Sequence, residues 1–301
     1  MKSGRAGDLY ALVCAVVCGF GNILLKLGLV DISTELFNFY FFVFAFLISL
    51  TMLFSRRSRK DIIHTRAWVF GLIALLSVLF SLGIYTFFWA LRLIEPATVS
   101  FLSRFEVIIT IVLAYVVLKE RLHSAEILGG VIAVAGVLVL KFKTTLIISE
   151  AATLMILSSF FFGTAEILVK KFIHQLGIVR FVFYRNLFAI GLFYLLLRMQ
   201  GQQMYLPPMK TLILAAAAAL MLPILGRATF MKALKHINIS RAALITQAIP
   251  LFTAFFALVV LRSLPTLIEW FGGGLIIAGV VIVKLSERIL TNRKGRLTGV
   301  R

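Results

Sequence analysis

Ten apolar stretches, each long enough to cross a bilayer as a helix, follow one another along the chain with only short connectors between them. They cover residues 8–29, 35–54, 67–91, 96–118, 124–142, 150–171, 180–199, 210–234, 240–262 and 266–285. A hydrocarbon core of about 30 Å needs roughly 20 helical residues. Runs of this length specify helices. Composition agrees: 61% of the 301 residues are hydrophobic and only 14% are charged, an imbalance that lipid can solvate and water cannot. The expected fold is an all-α integral membrane protein of ten transmembrane helices, with no room for a separate soluble domain.

The formal charge of +19 would suggest a nucleic-acid partner in a soluble protein. Its distribution argues otherwise. With the N-terminus in the cytoplasm, 21 of the 31 Lys and Arg residues fall in connectors on the inner side and six on the outer. That bias predicts both termini to be cytoplasmic. The basic residues are spread over many connectors, so no nucleic acid is expected, and the tail Arg293-Lys294-Gly295-Arg296 is read as a retention signal beside anionic membrane lipid. Location in a bacterial-type cytoplasmic membrane follows as the expectation.

The two halves repeat each other. Ala90 to Lys141 aligns with Ala233 to Lys284 at a constant offset of 143, pairing Gly129-Gly130 with Gly272-Gly273 and Ala135-Gly136-Val137 with Ala278-Gly279-Val280. Earlier in the chain the offset is 144, pairing Gly19 with Gly163, Asn22 with Glu166 and Lys26 with Lys170. Glycines, charges and aromatics held at fixed offset indicate duplication. Residues 1–145 and 146–301 are therefore expected to be two five-helix repeats, and an odd number of spans forces the second copy to insert upside down. An inverted repeat offers two nearly equivalent conformations, one open to each side, with a site near the midplane where the halves meet.

The runs Val117-Leu118-Lys119-Glu120-Arg121, Glu126-Ile127-Leu128-Gly129-Gly130 and Ala135-Gly136-Val137 resemble the end of an EamA repeat in the drug/metabolite transporter superfamily. The resemblance extends over nearly the whole chain. It departs at Val107, where the family commonly has a proline that Pro250 supplies in the second copy, and at Arg262-Ser263-Leu264-Pro265, where a Gly-Glu-Arg-like motif is usual. The resemblance implies a ten-helix exporter or exchanger with a central cavity lined by both repeats.

A charge at mid-bilayer costs roughly 2.5 to 3.5 kcal/mol to insert, so charges within the spans point to a site. Arg104 and Glu106 lie in the fourth span on a helix made polar over a wide arc by Ser100, Ser103 and Thr110. Glu166 occupies the sixth span and its repeat mate Asn22 the first; Lys26 and Lys170 lie near span ends, within snorkelling reach of the interface. Arg185 precedes Asn186 in the seventh span, Arg227 follows Pro223 by one turn in the eighth, and Gln247 breaks the symmetry in the ninth. Pro223 should open its helix locally. Ser77, Ser81, Tyr85 and Trp89 form a hydroxyl and aromatic stripe on the third span. The candidate substrate-binding set is Arg104, Glu106, Glu166, Arg185, Arg227, Asn22, Ser103, Tyr85, Trp89 and Gln247.

Small-residue stripes at Gly129, Ala133 and Gly136, and at Gly272 and Gly279, suit close helix packing or a homodimer. The histidines do not cluster, and there is no phosphate-cradling glycine loop, so neither a metal, a cofactor nor ATP drive is expected. The resulting expectation is a secondary transporter, not an enzyme, moving a small anionic or zwitterionic metabolite such as an amino acid. Glu106 or Glu166 could couple this to protons. The alternative is a non-catalytic membrane partner or a flippase subunit handling lipid-linked substrates.

Overall fold

In a computed structural model the described residues are 2–54, 62–63, 65–106, 108–109, 112–113, 116, 124–142, 146–176, 178–234, 236, 245–246, 248–263 and 265–298. Among them there are helices and connecting turns and no strand. The first repeat supplies α1 (Lys2–Gly28), α2 (Thr34–Leu50), α3 (Ala67–Leu93), α4 (Pro96–Leu102) and α5 (Ser124–Phe142). The second supplies α6 (Leu146–Leu176), α7 (Ile178–Met199), α8 (Met209–Ala219), α9 (Ile249–Phe256) and α10 (Leu267–Thr298). Five stretches, Arg5–Gly28, Ala67–Leu93, Glu150–Val169, Arg180–Met199 and Met209–Gly226, are long and apolar enough to cross a membrane. The order matches the ten predicted spans.

Local chemistry sets the ends of these helices. Ser33 caps α2, its Oγ accepting from the Leu36 backbone N–H at 3.3 Å. Pro96 opens α4, and the preceding Glu95 is extended, as a residue before proline prefers. Thr266 and Glu269 form a capping box on α10: the Thr266 N–H and hydroxyl donate to Glu269 Oε2 at 2.7 and 2.9 Å, and the Glu269 N–H returns a 3.3 Å bond. Glu269 Oε1 also accepts from Thr98 of α4 at 2.9 Å, so one buried carboxylate joins the repeats.

Lys26, expected to snorkel, does something more specific. Its Nζ donates to the carbonyls of Leu91, Arg92 and Ile94 at 2.7, 3.1 and 2.9 Å, satisfying the C-terminal end of α3 where a cation is favoured. Pro223 opens its helix as predicted: α8 passes through a π-helical segment, Leu220–Gly226, before resuming as Arg227–Leu234.

The packing is reciprocal. α3 lies on α6 as α8 lies on α1, α4 touches α6 as α9 touches α1, and α2 pairs with α7. The most extensive contact is α5 with α10. There a Cβ on Gly136 would fall 2.6 Å from the Gly272 carbonyl oxygen, and one on Gly279 would run into the Gly129 carbonyl oxygen. These four glycines are two repeat-related pairs, so the crossing is built around the pseudo-two-fold axis. The small-residue stripes are thus used inside the chain, to let two backbones touch. Two repeats of five helices related by inversion are the observed architecture.

Candidate functional site

The helix breaks come at matching places in the two repeats. After Leu102, α4 tightens into a 3-10 turn, Ser103–Phe105. At the repeat-related position before α9, the Ala248 N–H bonds the Ile245 carbonyl at 3.0 Å, again an i to i−3 bond, and Pro250 occupies the first turn of the helix that follows. Irregular backbone at membrane depth is tolerated where it is buried in protein or lines a cavity. Here it does line one.

The cavity has a volume of about 220 Å³ and is walled by Cys18 and Asn22 of α1, Phe87 of α3, and Ser103, Arg104 and Glu106 around the α4 break. Met155, Ser158, Ser159 and Phe162 of α6, Leu222 in the π-helical segment and Ile249 of α9 complete it. The lining helices form three repeat-related pairs: α1 with α6, α3 with α8, and α4 with α9. Individual walls pair as well, Cys18 with Phe162 at offset 144 and Glu106 with Ile249 at offset 143. Symmetry therefore shapes the cavity, while the side chains at paired positions differ in polarity. Among the described wall residues the charged groups, Arg104 and Glu106, come from the first repeat.

Four of the ten candidate residues meet here: Asn22, Ser103, Arg104 and Glu106. Arg104 Nε and Nη2 both donate to Ser103 Oγ, at 3.4 and 3.1 Å, and Ser103 in turn donates to the Ser100 carbonyl at 2.8 Å. Glu106 is within electrostatic reach of Arg104 and of Glu166, which stands on α6 one turn beyond the wall residue Phe162. Asn22 extends the site into the second repeat, its Nδ2 donating to Thr253 Oγ1 at 3.4 Å, with Ser100 Oγ a further 3.4 Å from that hydroxyl. Close approach of α1 and α9 permits this, because a Cβ on Gly19 would sit 2.8 Å from Phe252 Cβ.

Other candidates lie apart from the cavity wall. The Arg185 guanidinium lies 5.9 Å from the ring centroids of both Phe80 and Phe181 and bonds Asn186 Oδ1 at 3.2 Å. Tyr85 belongs to a separate polar cluster at the ends of α3 and α7 and the start of α2. Its hydroxyl donates to Glu35 Oε1 at 2.7 Å, and the same carboxylate accepts from Gln200 at 3.1 Å and Gln202 at 3.4 Å. Trp89 packs edge-on against Tyr85 and lies 6.0 Å from the Arg92 guanidinium. Arg227 is described only as backbone at the start of the last α8 segment, and Gln247 and Thr110 lie outside the described residues.

The described wall carries one arginine and one glutamate, with the second glutamate, Glu166, one turn beyond it. Sequence reasoning missed Glu35, Ser158 and Ser159. Glu35 begins a span and resembles an interfacial residue, and buried serines leave little trace because a hydroxyl can bond back to its own helix. Among the described residues no group of three or more His, Cys, Asp or Glu is placed to hold a metal ion.

Comparison with known proteins agrees with this geometry. A solved crystal structure superposes with a TM-score of 0.64 at 14% identity, covering 95% of this chain and 99% of that one, a likeness of fold. A search of curated protein sequences gave no match. The EamA-like transporter family matches twice, at residues 5–142 and again at 150–285, one match to each half of the pseudo-symmetric bundle. With both halves matched and most of the chain covered, this protein belongs to the EamA-like transporter family.

Proposed function

We propose that the protein is a secondary transporter that exports or exchanges a small zwitterionic or anionic metabolite of amino-acid size, binding it in the cavity around Arg104. The carrying observation is the cavity itself: three repeat-related helix pairs enclose about 220 Å³ that contains Arg104, Glu106, Asn22 and three serines. Ligand pockets for drug-sized molecules run from about 300 Å³ upward, so the cargo is small. An arginine beside hydroxyls suits a carboxylate or phosphate, and Glu106 suits an ammonium group. Breaks in α4 and α9 at repeat-related positions support alternating access, because each repeat can hinge about the same point.

The finer features belong to the same reading. The 21-to-6 distribution of basic residues supports cytoplasmic termini in a bacterial-type membrane. Glu106 and Glu166 interact electrostatically, so a proton taken by either changes the charge presented to a cargo, which supports proton coupling. Purified protein in liposomes tests the proposal by counterflow. Uptake of an amino acid, carboxylate or phosphate ester that is lost in Arg104→Gln is the expected result. Absence of counterflow across all three classes would overturn it, and obligate copurification of another membrane subunit would favour the non-transporting alternative.

A further inference from the structure

Buried hydroxyls in this bundle commonly bond a nearby carbonyl. Ser77 bonds the Ile73 carbonyl at 2.6 Å, Thr86 the Leu82 carbonyl at 3.0 Å, Thr253 the Ile249 carbonyl at 3.0 Å and Ser103 the Ser100 carbonyl at 2.8 Å. Ser158 reaches across to the Gly83 carbonyl of α3 at 2.8 Å. Its neighbour Ser159 does not follow them. Ser159 is 1% exposed, and its Oγ has no hydrogen-bond partner in the protein. The hydroxyls of Thr34, Ser81 and Thr164 are also unpartnered, but of these four residues Ser159 is the one on the cavity wall.

An unmade hydrogen bond in a buried place is a standing cost, and a serine in a helix has an easy remedy in the carbonyl four residues back. At Ser159 that remedy is unused. Arg104 and Ser103 line the same 220 Å³, with Arg104 Nε and Nη2 bonded to Ser103 Oγ. We propose that Ser159 is a specificity-determining residue, a donor held open for a hydrogen-bond-accepting oxygen on the transported molecule, the same group that Arg104 attracts. The inference rests on the transporter reading and adds to it a named recognition contact from the second repeat. It places recognition on both halves, Arg104 from the first and Ser159 from the second, so that a cargo oxygen spans the boundary that must rearrange. A site built to hydrogen-bond its substrate discriminates strongly against an analogue lacking the acceptor, because the protein group is then left unpaired.

Three measurements test this. First, in a Cys14→Ala, Cys18→Ala background, Ser159→Cys is treated with 2-aminoethyl methanethiosulfonate, whose aminoethylthio group passes to the cysteine thiolate as methanesulfinate leaves. Modification by mass at least tenfold faster than at Leu157→Cys, an exposed apolar position on the same helix, is expected. An inert thiol in the Ser159→Cys protein would overturn the proposal. Second, Ser159→Ala is melted in detergent: an unpartnered hydroxyl predicts a midpoint equal to or above wild type, and a clear fall would assign Ser159 a structural role instead. Third, counterflow is measured for the proteinogenic amino acids, pyruvate, succinate and glycerol 3-phosphate. For whichever wild type carries, Ser159→Ala should raise KM about tenfold with little change in maximal rate, the size of one lost hydrogen bond; a KM within twofold of wild type would overturn it. If wild type carries none, the transporter reading falls, and the cysteine and melting results alone decide whether Ser159 presents an open donor to a wet cavity.

Discussion

Replacing Gly136 by alanine should damage the molecule far more than the same change at Gly191, although both glycines lie within helices. A Cβ at position 136 would stand 2.6 Å from the Gly272 carbonyl oxygen and 2.9 Å from the Ile276 amide nitrogen, whereas ordinary contact begins at 3.4 Å. Both obstacles are backbone, so no side chain can rotate away and α5 must move from α10 by most of an ångström. Overpacking of this kind costs about 1–3 kcal/mol. Against this stands a gain of roughly 0.5–1 kcal/mol from replacing a helical glycine by alanine, which is all that Gly191→Ala should show, since nothing lies within 4 Å of its Cβ. The gain is common to both, so the two variants should differ by the overpacking cost alone, about 1–3 kcal/mol, or several degrees in melting midpoint. Gly279→Ala, the repeat mate, meets the Gly129 carbonyl and the Ala133 amide and should match Gly136→Ala. The double variant should cost less than the sum, because one separation of the helices relieves both clashes. Thermal unfolding in one detergent, followed by tryptophan fluorescence, measures all four. Equal midpoints for Gly136→Ala and Gly191→Ala would refute the close crossing.

Three further outcomes are expected. Lys26→Met removes a cation bonded to three carbonyls at the end of α3 and should cost about 2 kcal/mol, read as a lower midpoint and faster amide exchange around Arg92–Ile94; an unchanged midpoint would return Lys26 to the interface. Glu269→Ala strips the α10 cap and its Thr98 bond, again about 2 kcal/mol, and Glu269→Gln should recover part of that. Glu35→Ala releases Tyr85, Gln200 and Gln202 together, so protease cutting between residues 200 and 208 should accelerate severalfold, with a smaller effect in Tyr85→Phe. Equal cutting in wild type and Glu35→Ala would mean that this carboxylate does not hold the connector.

The class of fold was legible in the sequence because the bilayer leaves a chain so few choices. Ten apolar runs can only be helices, and duplication survives as Gly129 and Gly136 recurring at Gly272 and Gly279 with one offset. Insertion energetics likewise singled out Arg104 and Glu106, since a charge at depth needs a reason to be there. Pro223 announced its own irregularity, and the π-helical segment around it follows from a missing N–H.

Tertiary structure decided which of those groups share a space. Helical periodicity says that Tyr85 and Trp89 lie on one stripe but not what the stripe faces; packing turned Tyr85 to Glu35 and left Phe87 on the cavity wall. Arg185 carries the same charge as Arg104 and also falls within a span, yet it lies beside Phe80 and Phe181. Ser159 had no signal in the chain at all, because a serine is cheap to bury while its hydroxyl can bond its own helix, and only three-dimensional surroundings reveal that it does not. The rotation of each helix about its axis is set by close contacts such as Gly19 on Phe252 and Gly136 on Gly272. Those contacts join residues far apart in the chain, so the bilayer and the duplication determine the helices, and backbone packing determines the site.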